Sequence, residues 1–291
     1  MNAEGPVVIA VDGSPHSDQT LEWGLQEAEL RGAPVVLARA YQEPREYTQW
    51  SWYPILDDLH FDTEAKNYLD STLEQVRERR PGLQVTSQLL HGAEVPMLRT
   101  LSEDARLLVV GARGRAGRSR IGRVSAHLAA HAHCSVAVVR DTGHTSGPVV
   151  VGVDGSPSSV AAGRVAAREA RLRGTTLVVV HARPAPTTYG PSGLVYVSSL
   201  GAPGEEDPTA RAAHDVLADL TTEHPDLHTR LDLRDEDAVH ALLRTSADAA
   251  LLVVGSRGLG AFTGMLLGSV SNEVVRAAAT TVLVVHDEPA R

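Results

Sequence analysis

VVIAVDGSPHS at residues 7–17 returns as VVVGVDGSPSS at 149–159. Working outward, LLVVGARG at 107–114 returns as LLVVGSRG at 251–258, and each copy closes on an apolar strand, SVAVVR at 135–140 and TVLVVH at 281–286. A period near half of a 291-residue chain marks a duplicated domain, not a solenoid of short units. The spacing predicts two domains, 1–143 and 144–291, joined through the turn-rich stretch 141–148.

Within each copy, short apolar runs alternate with amphipathic segments. In the first half the runs are VVIAV, PVVLARA, LQVTSQLL, LLVVG and SVAVV, the pattern of parallel strands buried on both faces. Leu21, Leu25 and Ala28 share one face of the first helix, and Val160, Ala167 and Ala170 do so in the second half, with Gly32 and Gly174 where helices stop. The fold class is therefore α/β, two tandem doubly wound open parallel five-stranded sheets, with ligand expected beyond the carboxyl ends of the strands. Irregular segments follow each second strand. That at 41–62 gathers Tyr41, Tyr47, Trp50, Trp52, Tyr53 and Phe61, as a flap on its own domain or a partner surface; that at 183–209 is rich in Pro, Gly and Ser.

Composition narrows the function. A net charge of −9 argues against a nucleic-acid binder, and no apolar run approaches the ~18 residues of a membrane span. The start of the chain leaves no room for a signal peptide, and Cys134 is the single cysteine, so a reducing cytoplasm is expected. Lys66 is the only lysine, which excludes a Walker A loop, a protein kinase and a Schiff-base enzyme. Asp-Gly-Ser-Pro-His-Ser follows the first strand where a dinucleotide fold needs G-x-G-x-x-G. His127, His131 and His133 lack acidic or cysteine partners at ligand spacing and read as surface histidines, so no metal site is expected. Cys134 reads as an inert apolar residue.

The glycine loops carry the chemistry. Gly255-Ser-Arg-Gly258 is followed by nine residues and then Gly268-Ser269-Val270-Ser271 at a helix start. Glycines there let backbone N–H groups reach phosphate oxygens, and the helix dipole and the Ser269 and Ser271 hydroxyls add to the attraction. Asp154, like Asp12 in the first copy, stands at the end of the first strand. Two readings are open for both: a hydrogen-bond acceptor for a ribose or base, and an Asx-turn or N-cap.

Gly-x2-Gly-x9-Gly-Ser after LLVV, with VDGS after the first strand, resembles the universal stress protein family, and more closely its tandem, ATP-binding members. The resemblance spans essentially the whole chain. It implies five parallel strands per half, ATP (with or without Mg2+) between the first strand and the glycine loop, and dimerisation through the last strand. Carried onto this sequence, Gly152, Val153 and Asp154 meet the nucleoside and Ala182 the adenine. Val254, Gly255, Arg257 and Gly258 line the ribose and phosphate side, and Gly268 through Ser271 hold the phosphates.

The first half departs from that pattern. Its corresponding residues are Ala10, Val11, Asp12, Ala40, Val110, Gly111, Arg113 and Gly114, followed by Gly122, Arg123, Val124 and Ser125. Seven residues stand where the second half has nine, and Arg123 replaces Ser269. Arg113, Arg115, Arg118, Arg120 and Arg123 suit a polyphosphate or simply form a solvated loop. Three functions follow: a nucleotide-binding regulatory protein, a slow ATP-hydrolysing or transferring enzyme, or a nucleotide-free interaction protein. The closing strands SVAVVR and TVLVVH invite edge pairing with each other, which leaves the 41–62 segment to join two chains into a homodimer.

Overall fold

The computed structural model describes residues 4–41, 61–114, 121–140, 146–183, 187–189, 195–197, 208–259 and 267–286. Tyr47, Trp50, Trp52, Tyr53, Arg115, Arg118 and Arg120, residues 141–145 of the expected linker and most of 183–209 lie outside the described residues. The chain divides into two compact units, Met1–Asp141 and Thr142–Arg291.

The N-terminal unit runs β1 (Val7–Ala10), α1 (Ser17–Arg31), β2 (Val35–Tyr41), α2 (Phe61–Arg79), β3 (Val85–His91), α3 (Glu94–Leu101), β4 (Leu107–Gly111), α4 (Arg123–His131) and β5 (Ser135–Val139). Its strands are all parallel, in the order β3-β2-β1-β4-β5. The C-terminal unit runs β6 (Val149–Gly152), α5 (Pro157–Arg173), β7 (Leu177–Ala182), β8 (Thr187–Tyr189), β9 (Val195–Val197), α6 (Pro208–Glu223), β10 (Thr229–Arg234), α7 (Ala238–Thr245), β11 (Leu251–Gly255), α8 (Ser269–Ala277) and β12 (Val282–Val285). Its parallel order is β10-β7-β6-β11-β12. In both units the chain moves outward from the first strand, then returns to its other side. That reversal opens a crevice at the carboxyl ends of the first and fourth strands.

The central strands are Val-, Ile- and Leu-rich because both faces are covered; Val7, Val8 and Ile9, and Leu251, Leu252 and Val253, are fully buried. Strands β3 and β10 differ from the expectation of burial on both faces. VTSQLLH in β3 and TRLDLR in β10 expose residues at intervals, and Leu233 keeps 40% of its surface. Polar residues alternate with apolar ones in both, so one face of each of these two strands is only partly covered.

Helix α1 buries Leu25 and Ala28, while Leu21 stays half-buried; α5 buries Ala167 and Ala170, while Val160 stays half-buried. Leu21 and Val160 thus lie at the margin of each buried face. Gly32 and Gly174 end these helices in the left-handed conformation, φ 57° and 61°, as their position in sequence predicted. The segment after β7 is not wholly irregular: TTY (187–189) and VYV (195–197) pair antiparallel, since β-branched and aromatic residues favour strands.

Candidate functional site

Strand β6 delivers Val153 and Asp154 to the crevice of the C-terminal unit. The Asp154 carboxylate is held from both sides: Oδ1 accepts the Ser156 N–H at 2.9 Å, and Oδ2 accepts the Leu259 N–H at 2.9 Å. The first bond is an Asx-turn, so the turn reading of Asp154 holds. The second ties the β6 turn to the glycine loop across 105 residues of sequence. Burial opposes ionisation of this carboxyl, but hydrogen bonds from Ser156, Leu259 and Ser159 outweigh it and hold its pKa below the ordinary carboxylate value.

The loop glycines serve different purposes. A Cβ on Gly255 would lie 2.6 Å from Ser158 Oγ and 2.8 Å from the Ser158 carbonyl oxygen, so that glycine is required for α5 to pack on β11. A Cβ on Gly258 would lie 2.5 Å from Asp154 Oδ2. Gly268 is another matter. Its φ of −66° and ψ of 157° suit any residue, and a Cβ there would meet nothing nearer than 3.5 Å. Neither backbone conformation nor packing among the described residues asks for glycine at 268.

Gly268 is also the N-cap of α8, and no side chain caps that helix among the described residues. Its own N–H donates to the Ser256 carbonyl at 2.7 Å, and the first intrahelical bond runs from Asn272 N–H to the Gly268 carbonyl. The N–H groups of Ser269, Val270 and Ser271 therefore end the helix without an intrahelical partner, at the positive end of its dipole. Ser269 is exposed, but the Ser271 hydroxyl donates to the Gly255 carbonyl at 2.6 Å and is buried. The expectation that both hydroxyls face a ligand is corrected: Ser271 clamps the helix start to the end of β11.

These groups share one cavity of about 250 Å³. Gly152, Val153, Asp154 and Ala182 line it, as do Val254, Gly255, Arg257 and Gly258, and the four residues Gly268, Ser269, Val270 and Ser271. Ser159, Val180, Ala238, Leu242 and Leu259 also line it and were not singled out from sequence. The signal for two of them was the i,i+4 spacing of Ala238 and Leu242, which puts both on one face of α7. Leu259 is 63% exposed, a large apolar side chain at the rim. The walls are mainly apolar, with one carboxylate, one guanidinium and a helix N-terminus.

The N-terminal unit repeats the frame. Asp12 Oδ1 accepts the Ser14 N–H at 2.9 Å and the Ser17 hydroxyl at 2.7 Å. A Cβ on Gly114 would lie 2.8 Å from Asp12 Oδ2, and Gly122 caps α4 as Gly268 caps α8, its N–H donating to the Ala112 carbonyl at 2.7 Å. The Ser125 hydroxyl donates to the Gly111 carbonyl at 2.5 Å, so it clamps the start of α4 as the Ser271 hydroxyl clamps that of α8. Ala10, Val11, Ala40 and Val110 stand at or beside the carboxyl ends of β1, β2 and β4; Arg113 and Arg123 are exposed, and Val124 is half-buried. The departures expected from sequence lie where the two helix starts differ, at Arg123 against Ser269.

Elsewhere, the His127 and His131 rings stack at 3.9 Å on the α4 surface. No group of three or more His, Cys, Asp or Glu side chains suited to a metal occurs among the described residues. Cys134 is buried, which pushes its thiol up to about 12. No helix among the described residues is long and apolar enough to cross a membrane.

Two tandem parallel α/β units, each with a glycine loop and, among the described residues, a helix start without a side-chain cap beside its switch point, define a class of paired doubly wound domains. Both units match the model of the universal stress protein family, at residues 5–140 and 146–286, and the chain belongs to that family with its domains in tandem. A universal stress protein of Mycobacterium tuberculosis (strain ATCC 25618 / H37Rv) is 32% identical over 300 residues, 98% of each chain. One from Mycobacterium bovis is 32% identical over 290 residues, 96% of each chain. The crystal structure of a universal stress protein from Archaeoglobus fulgidus DSM 4304 superposes with a TM-score of 0.69 at 18% identity, covering 97% of this chain and 96% of that one. That likeness shows the fold.

Proposed function

We propose that the crevice of the C-terminal unit binds ATP and holds it, so that the chain acts as a nucleotide-dependent stress-response regulator. The observation that carries this reading is Gly268. A glycine that neither φ nor the packing of the described residues requires, at a helix start facing a cavity with no side-chain cap among those residues, suits a position where a phosphate approaches the backbone. The N–H groups of residues 269–271 would take the phosphates, with the Ser269 hydroxyl and Arg257 beside them. Val153, Ala182 and Val254 suit a purine, and Asp154 has lone pairs left for a ribose hydroxyl. Mg2+ would arrive on the phosphates.

Holding fits the chemistry better than turnover. Residues 255–271 contain no carboxylate or histidine to act as a general base on an attacking water. In the N-terminal unit Arg123 replaces Ser269, and that site is proposed to bind ATP more weakly. A homodimer in the cytoplasm completes the proposal. The test is calorimetric titration of the full chain with ATP, with nucleotide analysis of the mixture afterwards and sedimentation with and without ATP. One tight site per chain, unhydrolysed ATP and a dimer are expected. No binding would overturn the nucleotide reading, ADP accumulating at catalytic rates would overturn the holding role, and a strict monomer would overturn the assembly.

A further inference from the structure

His181 lies in β7 between Val180 and Ala182, both of which line the cavity, and it is only 2% exposed. Successive side chains of a strand point to opposite faces, so the imidazole does not share the cavity with its neighbours. It does reach the crevice by another route. His181 Nδ1 stands 2.8 Å from the Val153 carbonyl oxygen, 28 residues away in sequence. A carbonyl only accepts, so Nδ1 carries the proton in this contact and the ring tautomer follows from it.

That carbonyl belongs to the Val153–Asp154 peptide, whose other polar end is the Asp154 N–H. The N–H donates to Ser159 Oγ at 3.3 Å. One peptide plane is thus held at both ends, by His181 from β7 and by Ser159 from α5. A peptide is rigid about its C–N bond, so holding both ends sets the orientation in which Asp154 leaves the strand. The Asp154 carboxylate then meets the Ser156 and Leu259 N–H groups, each at 2.9 Å.

The duplication offers a comparison. Ser17 Oγ accepts the Asp12 N–H at 3.1 Å, so the serine end of the arrangement recurs in the N-terminal unit. The histidine does not. Arg39 occupies the matching place in β2, buried, with its guanidinium 4.6 Å from the centre of the Tyr68 ring. A cation over an aromatic face is an attraction in its own right. A Cβ on Gly13 would lie 3.1 Å from the Arg39 guanidinium, so this charge sits directly beneath the turn after Asp12.

We infer that His181 is the positioning residue of the C-terminal crevice, fixing the Val153–Asp154 peptide and through it the carboxylate that meets the nucleotide. This rests on the nucleotide reading for its consequence, though not for its geometry. His181→Phe keeps an aromatic ring of similar size and removes the N–H. His181→Asn keeps a nitrogen donor at the position of Nδ1. The expected outcome is a loss of ATP affinity of about tenfold or more in His181→Phe, because a buried carbonyl is left without that donor, with substantial recovery in His181→Asn.

Two readouts on the full chain separate the possible failures. The first is ATP titration of wild type and both variants, with each variant's unfolding midpoint measured alongside. The second needs no ligand: hydrogen exchange at the Asp154 amide, expected to quicken in His181→Phe and to slow again in His181→Asn. Equal ATP affinity in wild type and His181→Phe would overturn the inference. So would an Asp154 exchange rate unmoved by either substitution, or a fall in midpoint with no change in the affinity of the folded protein. If wild type itself binds no ATP, the nucleotide reading fails, and the exchange experiment still decides whether His181 orders the turn.

Discussion

Replacing Gly268 by alanine separates what the fold needs from what the site needs. The added Cβ would meet the Gly258 nitrogen at 3.5 Å, the Arg257 Cα at 3.6 Å and the Ser256 oxygen at 3.7 Å, all ordinary contacts. The backbone, at φ −66° and ψ 157°, already suits alanine. Restricting the unfolded chain gains roughly 0.4–1 kcal/mol, and alanine's poorer standing as an N-cap offsets an amount of that order. The net effect on folding should therefore lie within about 1 kcal/mol of zero. Binding is a different matter, because the methyl group would occupy the space before the α8 N–H groups. Hydrogen bonds to a charged phosphate are worth about 1.5–3 kcal/mol each, so losing one weakens ATP binding by about ten- to a hundredfold. Denaturant unfolding and calorimetric titration of the same preparation give both numbers. Unchanged affinity would show that no phosphate lies against Gly268. A destabilisation above about 2 kcal/mol would show that the Cβ meets protein, and the argument from spare room would be wrong.

The other expectations concern parts of the same site. Ser271→Ala should lower stability by about 1–3 kcal/mol, since the Gly255 carbonyl loses its 2.6 Å donor, and Ser125→Ala should do the same in the N-terminal unit. If Ser271→Ala instead weakens ATP binding with its unfolding curve unmoved, the hydroxyl serves the ligand. Asp154 has a folded-state pKa below the ordinary 3.8, so its contribution is complete above that value and is lost as pH falls through the lowered one. The stability gap between wild type and Asp154→Asn should therefore close in acid; a gap constant from about pH 6 to about pH 2 would assign the titration elsewhere.

Much of the architecture was legible because it rests on short-range signals, read twice over. Continuous apolar runs, Gly32 and Gly174 at the ends of helices, and glycines directly after LLVV are properties of neighbouring residues, and the duplication repeats each of them. The edge strands β3 and β10 were less legible, since an apolar run does not say how many neighbours a strand will have. Order in the sheet decides that, and order is set by long-range pairing.

The site divides in the same way. Sequence alone pointed to the duplication and to the glycine loop before α8, because both signals are local, while Gly152, Val153, Ala182 and Val254 were expected from the family resemblance; those four and the loop residues line one cavity. Only the tertiary structure distinguished the roles within that group. Gly255 makes room for α5, Gly258 makes room for a carboxylate, and Gly268 makes room for nothing among the described residues, yet all three are the same letter. Ser271 turned out to clamp a helix start, Leu259 stands inside the nine-residue spacer of the glycine loop itself, and Leu242 and His181 entered from elements that no motif connects to the loop. The physical reason is that what a side chain does depends on what lies within about 4 Å of it, and those neighbours come from distant parts of the chain.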